Sequence, residues 1–290
     1  MNIDNWKKAG EIASQALQYG KTLVKPGAKF VDVADKIEAK IKELGGEPAF
    51  PVNLSYDEIA SHFVPKKDDL LVMEEHLINL DIGVHVEGCI GDCACTIDLS
   101  GKYKDLVKSA QEALKNVEKL LSGEVTLGQI GKTVEETIEG FGYKPIANLS
   151  GHSLDKYTVH AGLSIPNINT NDDSYLPYNT FLAIEPFSTL GRGLVKESSP
   201  PEIFQQVREG NVRSNFGREV LKELPKFNSL PFAKRWLQTK GASLGIRELE
   251  RANILKSYPP LVDVDKKMVA QYEKSYFYSE DGFEVLTKQL

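Results

Sequence analysis

Cysteine is scarce in this 290-residue chain: three residues, an odd number, at Cys89, Cys93 and Cys95. So sparse a set excludes a disulfide-stapled scaffold, and a Cys-x-Cys pair without a second thiol pair does not make a zinc site. The three are expected to be small buried hydrophobes. Nor is positive charge in surplus: 35 Lys and Arg stand against 41 Asp and Glu, a net of −6. That balance argues against a phosphate-binding surface, and so against nucleic acid as a partner. No apolar run reaches the length of a membrane-spanning helix, and Met1-Asn2-Ile3-Asp4-Asn5-Trp6-Lys7-Lys8 lacks the charged-then-apolar order of a secretion signal. A cytoplasmic protein with no membrane partner is expected. Asn-Leu-Ser triplets at Asn53 and Asn148 match the glycosylation pattern, which has no use without secretion. What is present is an ordinary globular composition, long enough for one large domain or two modest ones.

The chain contains a duplication. Residues 11–48 and 108–145 match at a constant offset of 97: Ala16-Leu17 with Ala113-Leu114, Leu23-Val24 with Leu120-Leu121, Val33 with Ile130, Glu38 with Glu135, Ile41 with Ile138, Gly45 with Gly142, Pro48 with Pro145. Each copy reads as a long amphipathic helix, a short turn, a second helix, a Gly stop and a Pro. Asn-Leu-Ser and then histidine follow each copy: His62 in the first, His152 and His160 in the second. Two α-plus-β halves with pseudo-twofold symmetry are expected, with a site at their junction. Strands are predicted over Ile78–Val86, Cys89–Asp98, Thr180–Phe187 and Met268–Phe277, with Pro186 ending, bulging or edging its strand. Residues 191–262 read as a helical insertion, with Leu194–Pro201 and Glu209–Asn215 as loops and Arg218–Leu224, Phe232–Leu237 and Ile246–Ile254 as helices.

Glu87-Gly88 reads as the two-residue turn of a hairpin, which sets Gly83 opposite Asp92 and Asp81 opposite Ala94. Asp81 and Asp92 then become diagonal neighbours on one face, roughly 7–8 Å between backbones and closer at their tips. Gly83 and Ala94 leave room beside them, and the other face is apolar, from Ile78, Leu80, Ile82, Val84 and Val86 to Cys89, Cys93, Cys95 and Ile97. Glu185 and Glu273 each interrupt an apolar run, where a buried acid costs several kcal/mol unless paired or metal-bound. His76, after Glu74-Glu75, and His85, beside the hairpin tip, read as ordinary polar residues. Four strand-borne acids and the imidazole of His152 form a set of hard oxygens and one nitrogen. Two divalent ions of the manganese, iron, cobalt or zinc type suit such a set. The chemistry of a dinuclear site of that kind is hydrolysis.

Five segments carry a resemblance: Gly46-Glu47-Pro48-Ala49-Phe50-Pro51-Val52-Asn53-Leu54-Ser55, Asn148-Leu149-Ser150-Gly151-His152-Ser153, Val159-His160-Ala161-Gly162, Ala183-Ile184-Glu185-Pro186-Phe187 and Val269-Ala270-Gln271-Tyr272-Glu273. In order and content they resemble the type 2 methionine aminopeptidases, in the short form that archaea carry, over essentially the whole chain. The resemblance implies a single pita-bread catalytic domain over residues 1–290, of class α/β (α+β), with the 191–262 insertion distinguishing type 2 from type 1. It implies that Asp81 chelates one metal ion, that Asp92 and Glu273 bridge two, and that His152 and Glu185 complete the second. It makes Glu185 the proton acceptor, His160 a donor to the scissile carbonyl, and His62 a substrate contact near the scissile amide. Phe50, Val159, Phe187 and Tyr258 become the candidate lining of a methionine pocket. The implied partners are nascent polypeptide N-termini with a small second residue and, transiently, the ribosome; a monomer is expected.

Three departures stand out. The family usually continues Gln-Phe-Glu-His-Thr where this chain has Gln271-Tyr272-Glu273-Lys274-Ser275, and strand alternation should turn Lys274 away from the ligands. Gly91 replaces a common alanine and should loosen the strand before Asp92. Leu194 to Asn215 lacks close similarity, so pocket residues from the insertion are not assigned. Two rivals remain: a catalytically inactive pita-bread protein that binds ribosomes or nucleic acid, and an Xaa-Pro peptidase of the same fold.

Overall fold

A computed structural model describes residues 3–198 and 200–288. The duplicated helices form where the apolar spacing puts them: α1 at Asp4–Leu23 and α2 at Phe30–Glu43, then α3 at Lys104–Leu120 and α4 at Leu127–Gly140. Adding the offset to α2 gives α4 residue for residue, and the short strands Glu47–Pro48 and Lys144–Pro145 coincide in the same way. Gly45 and Gly142 follow the second helix of each pair at φ +87 and +85. That left-handed conformation closes a helix and strains any residue with a Cβ.

Three strands of the first half, β1 (Asn53–Tyr56), β2 (Leu77–Val86) and β3 (Cys89–Asp98), meet three of the second, β4 (Ser150–Leu154), β5 (Thr180–Ile184) and β6 (Val269–Ser279). All pair antiparallel in the order β1-β2-β3-β6-β5-β4, so each half runs outward from the β3–β6 seam. Alternation puts Leu80, Ile82, Val84, Cys93, Cys95 and Tyr276 on one face, buried under Ala13, Ala16 and Leu17 of α1 and Ala110, Ala113 and Leu114 of α3. Each fully buried Leu or Ile there contributes about 1.5–3 kcal/mol. The three cysteines are free and buried, as expected.

Gly91 does not loosen its strand. A Cβ there would lie 2.5 Å from Gly10 Cα and N and 2.6 Å from Ala9 C, so the bare backbone is the seat on which α1 rests. The seam is narrow, with direct pairing only at Cys95–Tyr272 and Ala94–Glu273. Hydroxyls extend it on both sides. Thr96 Oγ1 accepts from the Gln271 N–H at 2.7 Å, and Ser275 Oγ accepts from the Asp92 N–H and donates to the Asp92 carbonyl, each at 2.7 Å. Such bonds contribute about 1 kcal/mol apiece. Lys274 points to the helix side, where its ammonium donates to Glu118 at 3.0 Å and the Tyr276 hydroxyl donates to the same carboxylate.

Residues 191–262 are not the purely helical segment expected. Asn215–Glu223 and Ala242–Arg251 are helices, but Val195–Glu197, Ile203–Gln206, Phe232–Ala233, Leu255–Tyr258 and Leu261–Asp263 are strands. The Leu194–Pro201 stretch, expected as loop, holds the first of these, and Phe232–Leu237, expected as helix, opens with another. Strands of two to four residues carry no readable period. They exist because distant partners pair with them: Val195–Glu197 with Leu261–Asp263, and that strand with Ile59–Ser61.

One buried contact ties the segment to α2. The Glu38 carboxylate accepts from Trp236 Nε1 at 2.8 Å, from the Val52 N–H at 3.2 Å and from the Arg235 guanidinium. Burial pushes the Glu38 pKa up, and Arg235, Trp236 and Val52 pull it partly back. His76 Nδ1 donates to the Asp57 carboxylate at 2.8 Å, and His85 accepts from the Gly88 N–H, ordinary polar roles for both.

Candidate metal centre and substrate cavity

A row of residues crosses the sheet face away from the helices. Asn53 lies opposite Asp81, Asp81 opposite Ala94, and Ala94 opposite Glu273. Ile184 pairs with Lys274 and Phe187 with Gln271, so the break at Glu185-Pro186 falls opposite Tyr272 and Glu273. Asp92 shares the face from β3, opposite Gly83, and His152 from β4, opposite Ala183. The hairpin register is the one predicted. The space at Gly83 is not free, however: a Cβ there would lie 2.1 Å from Phe50 Cε1, so the Phe50 ring fills it.

Ligand atoms of Asp92, His152 and Glu273 all lie within 4.8 Å of one another. His152 Nε2 is 3.7 Å from Glu185 Oε1 and 3.9 Å from Asp92 Oδ2. Gln271, two residues before Glu273 and so on the same face, donates from Nε2 to Glu185 and to Glu273, both at 3.3 Å. Burial is the largest cause pushing all four acids up in pKa. Asp81 reaches about 7; Asp92, Glu185 and Glu273 are driven further by the charges of their neighbours in the cluster. Asp81 Oδ1 and Asp92 Oδ1 are buried without a hydrogen-bond partner among the described residues. Buried carboxylates so placed repel one another unless a cation lies between them. Burial and then His160 push the His152 pKa down to about 3. Its ring is therefore neutral at pH 7, as metal ligation requires. The donor set fits divalent cations.

Above this floor is a cavity of about 240 Å³. Every residue named from the sequence lines it: Asp81, Asp92, His152, Glu185 and Glu273 at the base, His62 and His160 on the walls, and Phe50, Val159, Phe187 and Tyr258 as apolar surface. The sequence reading did not single out Asn53, Ile203, Pro231 and Leu261, which also line it. Asn53 falls within the first of the resembling segments, the signal that could have marked it; the other three sit in the segment whose short strands are not readable in the sequence. His62 is held at φ 65, a left-handed conformation rare for a residue with a side chain. Its Nδ1 lies 3.3 Å from the Pro259 carbonyl, which fixes the proton on that nitrogen and leaves Nε2 as an acceptor. Burial, then the neighbouring His160, lower its pKa to about 4. The His160 ring stands 4.3 Å from that of His152, and its pKa is lowered by burial and by Lys256.

Residues 4–214 match the family described as metallopeptidase family M24. The methionine aminopeptidase of Methanocaldococcus jannaschii is 40% identical over 294 residues, covering 99% of this chain and 100% of that one. The methionine aminopeptidase of Thermococcus onnurineus is 45% identical, covering 97% of each. A solved structure described as a thermophilic Arx1 superposes with a TM-score of 0.88 at 16% identity, covering 98% of this chain and 90% of that one. A methionine aminopeptidase from Thermotoga maritima superposes at 0.72 with 23% identity, covering 99% and 96%. At these identities the two superpositions speak to the fold alone, and they agree with the pita-bread architecture expected from the sequence. No helix among the described residues is long and apolar enough to cross a membrane.

Proposed function

The chain belongs to metallopeptidase family M24, and from that membership we propose that it removes the initiator methionine from nascent polypeptides whose second residue is small. The observation that carries the reading is the convergence of four buried acids and neutral His152 at the base of a cavity with apolar walls. Divalent metal use is the family's property. For this chain we read two ions, of the cobalt, manganese, iron or zinc kind, held by Asp81, Asp92, His152, Glu185 and Glu273. When bound, such ions supply Lewis acidity and a water deprotonated near neutral pH.

The protein's own groups do the rest. Glu185, whose pKa is pushed up by burial and then by the charges of Asp81 and Asp92, takes a proton from the attacking water and returns it to the leaving nitrogen as the C–N bond breaks. Neutral His160 at the cavity wall donates an N–H to the carbonyl oxygen as its charge develops. His62, with Nδ1–H committed to Pro259, offers Nε2 as an acceptor for the scissile amide N–H. Phe50, Val159, Phe187 and Tyr258 pack the methionine thioether, which favours aromatic edges. We read residues 191–262 as an insertion within one catalytic domain, and the enzyme as a cytoplasmic monomer meeting its substrates at the ribosome.

Purified protein given cobalt or manganese should release methionine from Met-Ala-Ser and leave Ala-Pro peptides intact. Preference for Ala-Pro would replace the substrate reading, and full activity in Asp92→Ala would end the ligand assignment.

A further inference from the structure

A second cavity of about 500 Å³ adjoins the first. His62, Val159, His160, Pro231, Tyr258 and Leu261 line both. The two histidines proposed to flank the scissile bond thus stand where the chambers join. With methionine in the inner chamber, residues beyond the cleaved bond occupy the outer one. The charged side chains lining that outer chamber are Lys256 and Glu197; His62 and His160 are held neutral.

Lys256 is exposed and forms no ion pair with any described residue. Yet it is not a free surface charge. Its strand pairs it with Gln205, and its ammonium sits 4.7 Å from the centre of the Tyr258 ring, a cation–π contact. Tyr258 is fixed in turn by its hydroxyl bond to Gln205. The cation is therefore held in the outer chamber beside the Tyr258 ring that both chambers share, with no carboxylate among the described residues claiming its donors.

We propose that the outer chamber is the subsite for the third and fourth residues of the substrate, and that Lys256 makes it select acidic side chains there. This rests on the aminopeptidase reading above and adds a specificity determinant to it. Glu197 works in the opposite direction, repelling acids from the same chamber. A substrate carboxylate meeting Lys256 in this partly open setting should gain what an exposed ion pair gives, up to about fivefold.

The test compares kcat/KM for Met-Ala-Asp-Asp and Met-Ala-Lys-Lys peptides at low salt, in native protein, Lys256→Gln, Lys256→Glu and Glu197→Gln. The readout is the ratio between the two peptides, which cancels any general loss of activity or of folded protein. The native ratio should favour Asp by about threefold. Lys256→Gln should bring it to unity or below, because Glu197 then acts alone, Lys256→Glu should reverse it further, and Glu197→Gln should raise it. In 1 M salt the native ratio should collapse, because screening acts within about 3 Å. A ratio unmoved by Lys256→Glu, or one that persists in high salt, overturns the inference. If native protein releases methionine from neither peptide, the aminopeptidase reading fails and this goes with it. Cleavage with an unmoved ratio sinks the inference alone.

Discussion

Replacing Gly91 with alanine is the sharpest probe of how the helices are mounted on the sheet. The added Cβ would meet Gly10 Cα and N at 2.5 Å and Ala9 C at 2.6 Å. These are backbone atoms that no rotamer change can clear. Carbon atoms pack best at about 3.5–4.0 Å, so α1 must rise from the hairpin, or β3 sink from it, by about 1 Å. A gap of that size forfeits about a quarter to a half of the attraction of each contact across it, here those of Ala13, Ala16 and Leu17. Overpacking of this kind costs about 1–3 kcal/mol, and with about 2–4 °C lost per kcal/mol in a domain of this size, Tm should fall by roughly 5 °C. Because Asp92 follows directly, movement of β3 should also weaken stabilisation by manganese. Gly140→Ala is the control: it ends α4 with open space around it, and should be neutral or gain up to about 1 kcal/mol. Thermal melting of the three proteins, with and without manganese, checks this. A Gly91→Ala protein melting within a degree of native would show that α1 is not seated on Gly91.

Asp92→Asn and Glu273→Gln should each remove the manganese-induced rise in Tm, which at a hundredfold excess over Kd is worth about 2.7 kcal/mol in native protein; a full rise in either variant would remove that residue from the ligand set. Arg235→Met should destabilise more as pH rises above 4.5. Glu38, already raised in pKa, then loses a countercharge, so the native state grips its proton more tightly and loses stability as that proton leaves. Adding Glu38→Met should restore much of the loss, as apolar replacement of buried pairs often does; melts from pH 4 to 8 decide it. The three thiols should resist Ellman's reagent until the protein unfolds, since all are buried and burial pushes Cys93 and Cys95 up, the latter to about 11. Rapid modification of either in folded protein would contradict the packing.

Legibility in the sequence followed how local the physics was. The duplicated helices were readable because amphipathic spacing and a terminal glycine are written within twenty residues, and the offset then held residue for residue. The Asp81–Asp92 diagonal was readable because a two-residue turn fixes every cross-strand partner. The meeting of Glu185 and Glu273 was readable only as a pair of misplaced acids; nothing near either one states that β6 slots between β3 and β5. The strands within 191–262 were not readable, since each is too short for a period and is made by a partner distant in the chain. The role of Gly91 is not readable for a related reason: its neighbour is Gly10, on an element eighty residues earlier.

The β3–β6 seam also sets an order of events during synthesis. Asp81 and Asp92 leave the ribosome long before His152 and Glu185, and Glu273 is translated last of the five. Until β6 is made and inserted, the nascent chain holds two acids on an unclosed hairpin, with nothing to complete a cage. If these five residues hold the metal, cation capture is postponed to the final act of assembly, and the topology disfavours premature loading of a half-built chain.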